Sequence, residues 1–306
     1  MLEMKNRVYG VVGIKSIMSN WNADFSGNPK TTSDGKIFGS DKAFKFPIKK
    51  MWEAEGKYVL YIKSYKKEKD NVQAKSLEER FNQIFDTKLK DIKEKEEIYK
   101  KLFSAIDVLN FGATFAEEKN NISITGAVQV GQGYNKYENT NVEVIDILSP
   151  FRDSTDADAQ NSTIGTKIVS DEAHYMYPFS VNPQNYDIYK EIFKEFAYYT
   201  KEAYEAFKRG CLVGATTYNT NSKMGCENEF AIFVECKEDS KLYLPNLDQY
   251  IKFIKNKDGK DIIDITELSN LLGSHKDEIC NIEVYYNKYT LEIKGVKEYY
   301  NEKYLF

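Results

Sequence analysis

Apolar and polar positions divide the chain into a run of strands interrupted twice by polar blocks. RVYGVVGIKSIM at 7–18 is dense in Val and Ile and predicts a buried strand. The loop SNWNADFSGNPKTTSDGKIFGS follows, and its Asp34-Gly35 pair favours a tight hairpin turn because Gly tolerates positive φ. Ser40 stands where a helix cap would, and Pro47 predicts a short turn, a kink and then a helix from Ile48 to Ala54. Tyr58 to Tyr65 alternates enough for a strand or an extended arm. From Lys66 to Lys101 the composition turns to Lys and Glu. There Ser76 and Glu79 make a capping box at the head of one helix, and a second is predicted over about 88–106. This block reads as a helical insertion standing off the core, with 66–72 poorly ordered.

The core pattern resumes at Asp107. Ile122, Ile124, Val128 and Val130 predict a strand broken near Gly126. A second insertion, 139–165, holds the strand-like VEVIDIL and then SPFRDSTDADAQNSTIG, polar and acidic as expected of a projecting loop. Thr166 to Val181 predicts a long strand. Asn182 and Pro183 predict the start of a helix running to Arg209 and ending at Gly210. Its Tyr189, Ile192, Phe193, Phe196, Ala203, Tyr204 and Phe207 recur at three- and four-residue steps and predict a core face. A strand at 229–236, a helix near 246–255, strands at 281–286 and 289–294 and a Tyr-rich tail complete the pattern. Strands, helices and hairpins together predict an α+β fold with two insertions, and no repeat period is visible.

Composition narrows the function classes. A chain of 306 residues with 23 Tyr and 18 Phe can bury a large core. Its net charge of −4 supplies no global field toward nucleic acid or anionic lipid, so a nucleic-acid site has to be a local patch. The four cysteines form no CxxC pair, and the N-terminus has no leader pattern, which predicts reduced thiols in a cytoplasm. Two histidines, His174 and His275, leave little for a His-based metal centre or a Ser-His-Asp arrangement. No apolar run approaches the ~18 residues that a membrane span needs.

Candidate chemistry follows from residue type and spacing. Lys42, Lys45 and Lys49 recur at i, i+3 and i+7 behind Ser40, either a rail for phosphates or a solvated helix face. Asp24 lies in a Gly- and Asn-rich loop after a strand, where it is either a catalytic carboxylate or a turn-forming Asp. Gly131-Gln132-Gly133 either admits a phosphate to the backbone or makes a turn. Asn221 to Gly225, with Ser222 and Lys223, offers phosphate donors or an ordinary turn. His174 is a core or edge histidine, or a stacking partner for a base.

The order of five segments carries more than any one of them. VVGIKSIMSNWNADFSG, TTSDGKIFGSDKAFKFPIKKMW, DVLNFGATFAEEKNNISITGAVQVGQGYNKY, STIGTKIVSDEAHYMYPFSVNP and GCLVGATTYNTNSKMG span about residues 7 to 236. In this order they resemble the backbone subunit of type I CRISPR Cascade complexes, of the RAMP superfamily, closest to the subtype I-B (Csh-type) branch. The resemblance implies a ferredoxin-like (RRM-like) palm from 1–65, 107–138 and 166–306, a helical web or fingers insertion at 66–106, and a thumb hairpin at 139–165 with Phe151 as a wedge. It implies a non-catalytic, cofactor-free and metal-free subunit that polymerises with copies of itself along a guide RNA (crRNA). Base edges would stay free to pair with target DNA. Implied partners are a large subunit, a 5′-handle-capping subunit and a crRNA-processing endoribonuclease, with no membrane. Asn20, Asn22, Ser40, Lys42, Lys45, Lys49, Gln132, Gly133, Phe151, His174, Ser222 and Lys223 are the RNA-binding residues it points to. The related type III backbone subunits cut target RNA with an Asp in the loop after the first strand, where Asp24 lies. That makes a metal-dependent ribonuclease the alternative. A small-molecule α/β enzyme built on the Gly131–Gly133 loop ranks last, since the chain has no strand–GxGxxG–helix unit and no Walker pattern.

Overall fold

Alternation along the first strand sets the architecture. In the computed structural model, which describes residues 2–148, 164–193 and 195–306, β1 is Val8–Ser19. Val8, Val12 and Ile14 enter one apolar cluster and Tyr9 and Val11 another, because successive side chains leave a strand on opposite faces. The first half of the chain continues with β2 (Phe38–Gly39), α1 (Asp41–Ala54), β3 (Tyr65–Glu68), β4 (Asn71–Ala74) and α2 (Leu77–Phe85). After these come α3 (Lys95–Ser104), α4 (Ile106–Phe111), β5 (Gly112–Phe115), β6 (Ile122–Thr125), β7 (Val128–Val130) and β8 (Gly133–Asn135). β9 (Val142–Leu148) and β10 (Ile164–Val181) precede α5 (Asp187–Phe193), α6 (Lys201–Val213) and β11 (Cys226–Cys236). The last part holds β12 (Lys252–Ile254), β13 (Asp261–Asp264), α7 (Thr266–Gly273), β14 (Ile279–Tyr286), β15 (Leu291–Lys294) and β16 (Asn301–Tyr304).

The main sheet runs in the order β16-β14-β11-β1-β10-β8-β2, with β7 and β9 also on β10. β1 sits centrally and antiparallel to both neighbours, Val8 facing Val181 on one side and Glu235 on the other. Helices α1, α4 and α6 cover one face. A small sheet, β12-β13-β15, covers the other together with α7. The fold is thus mixed α and β, as the pattern of the sequence predicts. Among the described residues no helix is long and apolar enough to cross a membrane.

Several expectations need correction, each for a physical reason. Pro47 does not break its helix. α1 is continuous from Asp41 to Ala54, because Phe44, Pro47, Ile48, Met51 and Trp52 are all buried and their packing offsets one missing N–H bond. The Lys- and Glu-rich block does not stand off the core: Phe81, Leu89, Ile98, Leu102 and Phe103 join the same cluster as Val8 and Val12. A few apolar residues at helical spacing are enough to seat one face. Residues 66–72 lie in the paired hairpin β3–β4. The helix expected over 88–106 is a single turn at Leu89–Asp91, then α3, a break at extended Ala105, and α4. That break lets Ile106 N–H donate to the Tyr58 carbonyl at 2.8 Å.

The helix expected from 183 to 210 is a turn at Pro183–Tyr186, α5, and a separate α6 that Thr200 caps by accepting from Ala203 N–H. Gly210 does not end α6, which runs on to Val213. A Cβ there would lie 2.6 Å from Ile48 Cγ2, so this glycine permits the close approach of α6 to α1. Of the apolar face read on this stretch, Ala203, Tyr204 and Phe207 are buried, while Ile192 is exposed. The helix near 246–255 is one turn at Leu247–Tyr250 followed by β12, and α7 had no counterpart in the sequence reading.

β10 is longer than the sheet needs. From Ser170 onward it pairs with β1, and before Ser170 it pairs only with β9, so the two form an arm beyond the rest of the main sheet. Every residue of β9 is exposed. Phe151 and the rest of the loop 149–163 lie outside the described residues.

Candidate nucleic-acid interface

The loop after β1 is tied to the root of this arm. Asn20 is buried, and its Nδ2 donates to the carbonyls of Gly27 at 2.9 Å and Ile168 at 3.1 Å. Its backbone N–H donates to Ser222 O at 3.0 Å, and Lys223 Nζ donates to the carbonyls of Asn20 and Trp21 at 2.6 Å each. Asn22 Oδ1 accepts from Ser40 N–H at 2.8 Å, and Ser40 Oγ accepts from Ala43 N–H at 3.2 Å, capping α1. Asn20, Asn22, Ser40, Ser222 and Lys223, far apart in sequence, therefore meet in one knot. Beside it lies a cavity of about 470 Å³, lined among others by Asn20, Ser26, Lys167, Tyr218, Ser222 and Lys223. Thr166, Lys167 and Tyr218 were not singled out from the sequence, where nothing marks the polar half of a long strand as the wall of a cleft.

Other candidates fall elsewhere. Lys42 is exposed, but Lys45 is largely covered and pairs with Asp41 at 2.9 Å. Lys49 is largely covered, donates to Tyr61 O at 3.2 Å and lies 3.7 Å from Asp107 Oδ2. Burial lowers its pKa against the pull of Asp107. The three-cation exposed rail is corrected to a single exposed lysine. The shared face of α1 turns into the groove toward α4, with Lys45 and Lys49 Nζ 5.2 and 5.8 Å from the Phe111 ring centre.

Lys223 is likewise a structural cation: burial lowers its pKa and both loop carbonyls hold it. Gly133 packs on a ring. A Cβ there would lie 2.4 Å from Tyr177 Cε2, and Tyr177 OH accepts from Trp21 Nε1 at 2.6 Å. Gln132 reaches the Asp41 carboxylate. Gly133→Ala is expected to lower stability by about 1–3 kcal/mol through overpacking, read as a drop in the urea midpoint, whereas Gln132→Ala should leave it within about 0.5 kcal/mol.

His174 has no free ring face toward a base. It is buried, its Nδ1 lies 2.9 Å from Glu229 Oε1, its Nε2 3.0 Å from Glu172 Oε1, and Phe253 stacks on it at 3.7 Å. Burial alone would depress its pKa, but the two carboxylates leave it raised. The stacking role for His174 is therefore corrected to an interior ion pair.

Asp24 forms a turn. Its Oδ1 accepts from the N–H groups of Ser26 at 2.8 Å and Asn28 at 2.9 Å. Among the described residues, the group of His, Cys, Asp and Glu side chains spaced to hold a metal is Glu172, His174 and Asp261, without Asp24.

A mostly antiparallel central sheet, a docked helical block and a projecting two-stranded arm make up a fold already seen in solved structures. The chain superposes on a chain of a "CRISPR RNA-guided surveillance complex, pre-nicking" with a TM-score of 0.54 at 16% identity, covering 97% of this chain and 96% of that one. It also superposes on a chain of a "CRISPR RNA-guided surveillance complex" with a TM-score of 0.50 at 16% identity, covering 96% and 94%. No curated protein sequence matches it. Residues 6–271 match the family described as CRISPR-associated protein Cas7, and the chain belongs to that family.

Proposed function

We propose that this protein is a non-catalytic backbone subunit of a type I CRISPR surveillance complex, of the subtype I-B (Csh-type) branch, in which copies line up along a guide RNA. The RRM-like palm, the web at 66–106 and the thumb at 139–165 belong to this reading, with the large subunit, the 5′-handle-capping subunit and the processing endoribonuclease as partners. The observation that carries it is the cleft at the root of the β9–β10 arm, where the hydroxyl and amide residues Ser26, Thr166, Thr220, Asn221 and Ser222 and the cation Lys167 share the wall with apolar residues such as Ile147 and Val169. Amide and hydroxyl donors grip phosphate and sugar oxygens without reading bases, which suits a protein that has to accept any guide. The second reading, an Asp24 ribonuclease, loses support because Asp24 Oδ1 shapes its own turn and, among the described residues, the side chains spaced to hold a metal do not include it.

Co-expression with a CRISPR array and purification tests the proposal. RNA should copurify and give evenly spaced protected fragments, and guides with scrambled spacers should bind within a few-fold of one another. A hundredfold preference for one spacer, or metal-dependent cutting of complementary RNA that disappears in Asp24→Ala, would overturn it.

Lys42 and Lys49 should behave differently under mutation. Lys42→Ala is expected to leave the unfolding midpoint unchanged and to reduce the salt slope of log K for RNA by about 0.7, one phosphate contact on a single strand. Lys49→Ala should instead destabilise the fold. Equal unfolding midpoints for the two variants would contradict their assigned places.

A further inference from the structure

His174 and its neighbours form a site that the guide-binding role does not use. The side chain leaves β10 on the face that carries Met176, under the C-terminal sheet. Glu229 of β11, itself buried, holds Nδ1 from both carboxylate oxygens at 2.9 and 3.0 Å. Such a carboxylate fixes the ring orientation and leaves the proton on Nδ1, the arrangement that prepares Nε2 to bind a cation. Nε2 in turn points at Glu172 Oε1, 3.0 Å away. Without a metal this contact is the hydrogen bond of the protonated ring, Nε2–H donating to Glu172, and a metal ion between the two atoms would take the place of that proton. Asp261, brought in by β13, completes a set of one imidazole and two carboxylates whose ligand atoms lie within 4.8 Å of one another.

A cation already occupies this space. Lys255 Nζ bridges Glu172 Oε1 at 2.7 Å and Asp261 Oδ2 at 3.1 Å. Its side chain is 37% exposed, so the ammonium can swing into solvent. The other cations nearby are spoken for: Lys136 by Asp248 and Lys15, opposite His174 in the sheet, by Glu227. Glu172, Glu229 and Asp261 thus face His174 and Lys255 with an excess of negative charge. One nitrogen and two oxygen ligands suit borderline divalent ions such as zinc or cobalt better than the all-oxygen shells of calcium or magnesium.

We propose that Glu172, His174 and Asp261 form a divalent transition-metal site in which the ion takes the place of the Lys255 ammonium. Glu172 and His174 stand on the long palm strand and Asp261 on the C-terminal sheet, so the bound ion ties these two parts together.

The test uses the full chain, freed of RNA and treated with chelator, with Co²⁺ as probe and Zn²⁺ as competitor. One equivalent of Co²⁺ should give visible d–d absorption that Zn²⁺ abolishes, and Zn²⁺ should raise the unfolding temperature. Lys255→Met removes the competing cation and should tighten Co²⁺ binding by about tenfold, while Asp261→Asn should weaken it by at least about tenfold. Glu172→Gln, checked like the others by circular dichroism for a native fold, repeats the loss from a second ligand. The site is refuted if neither the natural protein nor Lys255→Met gives the absorption, or if Asp261→Asn and Glu172→Gln bind Co²⁺ as tightly as the natural protein.

Discussion

Asp107→Ala is expected to destabilise the subunit by about 3–5 kcal/mol, a large share of the stability of any single domain. The side chain is fully buried and carries three partners: the N–H groups of Leu60 and Tyr61 donate to its two oxygens at 2.8 Å each, and Lys49 lies 3.7 Å away. Its removal leaves the buried Leu60 N–H and the partly buried Tyr61 N–H without an acceptor and takes the counter-charge from the largely covered Lys49 ammonium. Lys49→Met should cost much less, because Asp107 keeps both backbone donors and the methionine stem fills the same groove. Adding Lys49→Met to Asp107→Ala should then restore part of the loss. Urea unfolding of the three variants measures this. A loss below about 1 kcal/mol for Asp107→Ala, or no recovery in the double variant, would show that the cluster is not held by this carboxylate.

Val144→Thr combined with Leu148→Gln should separate assembly from folding. Val144 and Leu148 are 62% and 72% exposed on one side of β9, so neither contributes to the subunit's own core, and stability should shift by no more than about 0.5 kcal/mol. On the proposed function the arm meets the next copy along the guide. Binding to RNA long enough for several copies should therefore weaken on the order of a hundredfold through lost linkage between sites, while binding to RNA for one copy stays the same. Equal loss on short and long RNA would place these residues in the RNA contact itself. No loss on either would remove the arm from assembly.

How much of this was legible in the sequence depended on how local the cause was. The Val- and Ile-rich β1, the long β10, the Ser40 cap and the Ser76–Glu79 capping box follow from neighbours within a few residues, and each stands where its pattern puts it. Lys49 was misread because its partner Asp107 lies far along the chain and in a different element. Gly210 was misread because the reason for a glycine there is Ile48, on another helix. His174 looked like an ordinary strand histidine since nothing local announces Glu229, Phe253 or Lys255. The knot of Asn20, Asn22, Ser40, Ser222 and Lys223 was legible as a set of residues only through the resemblance to a family. Its hydrogen bonds were not, and they show most of those polar groups holding loops rather than waiting for a ligand.

The position of β1 in the sheet has a consequence for the ribosome. This strand is made well before its two neighbours in the sheet, which end at Val181 and Cys236. At the pace of translation β1 waits on the order of ten seconds for its first neighbour and longer for its second. Until then an apolar strand with both edges open is exposed to other nascent chains, which is when such a chain aggregates. The Asn20–Ser222 contact closes only after residue 222 has emerged, so a truncated chain carries no finished cleft. On the proposed function an incomplete copy lacks the cleft that would hold the guide, and late closure of the central strand acts as a check on chain completeness.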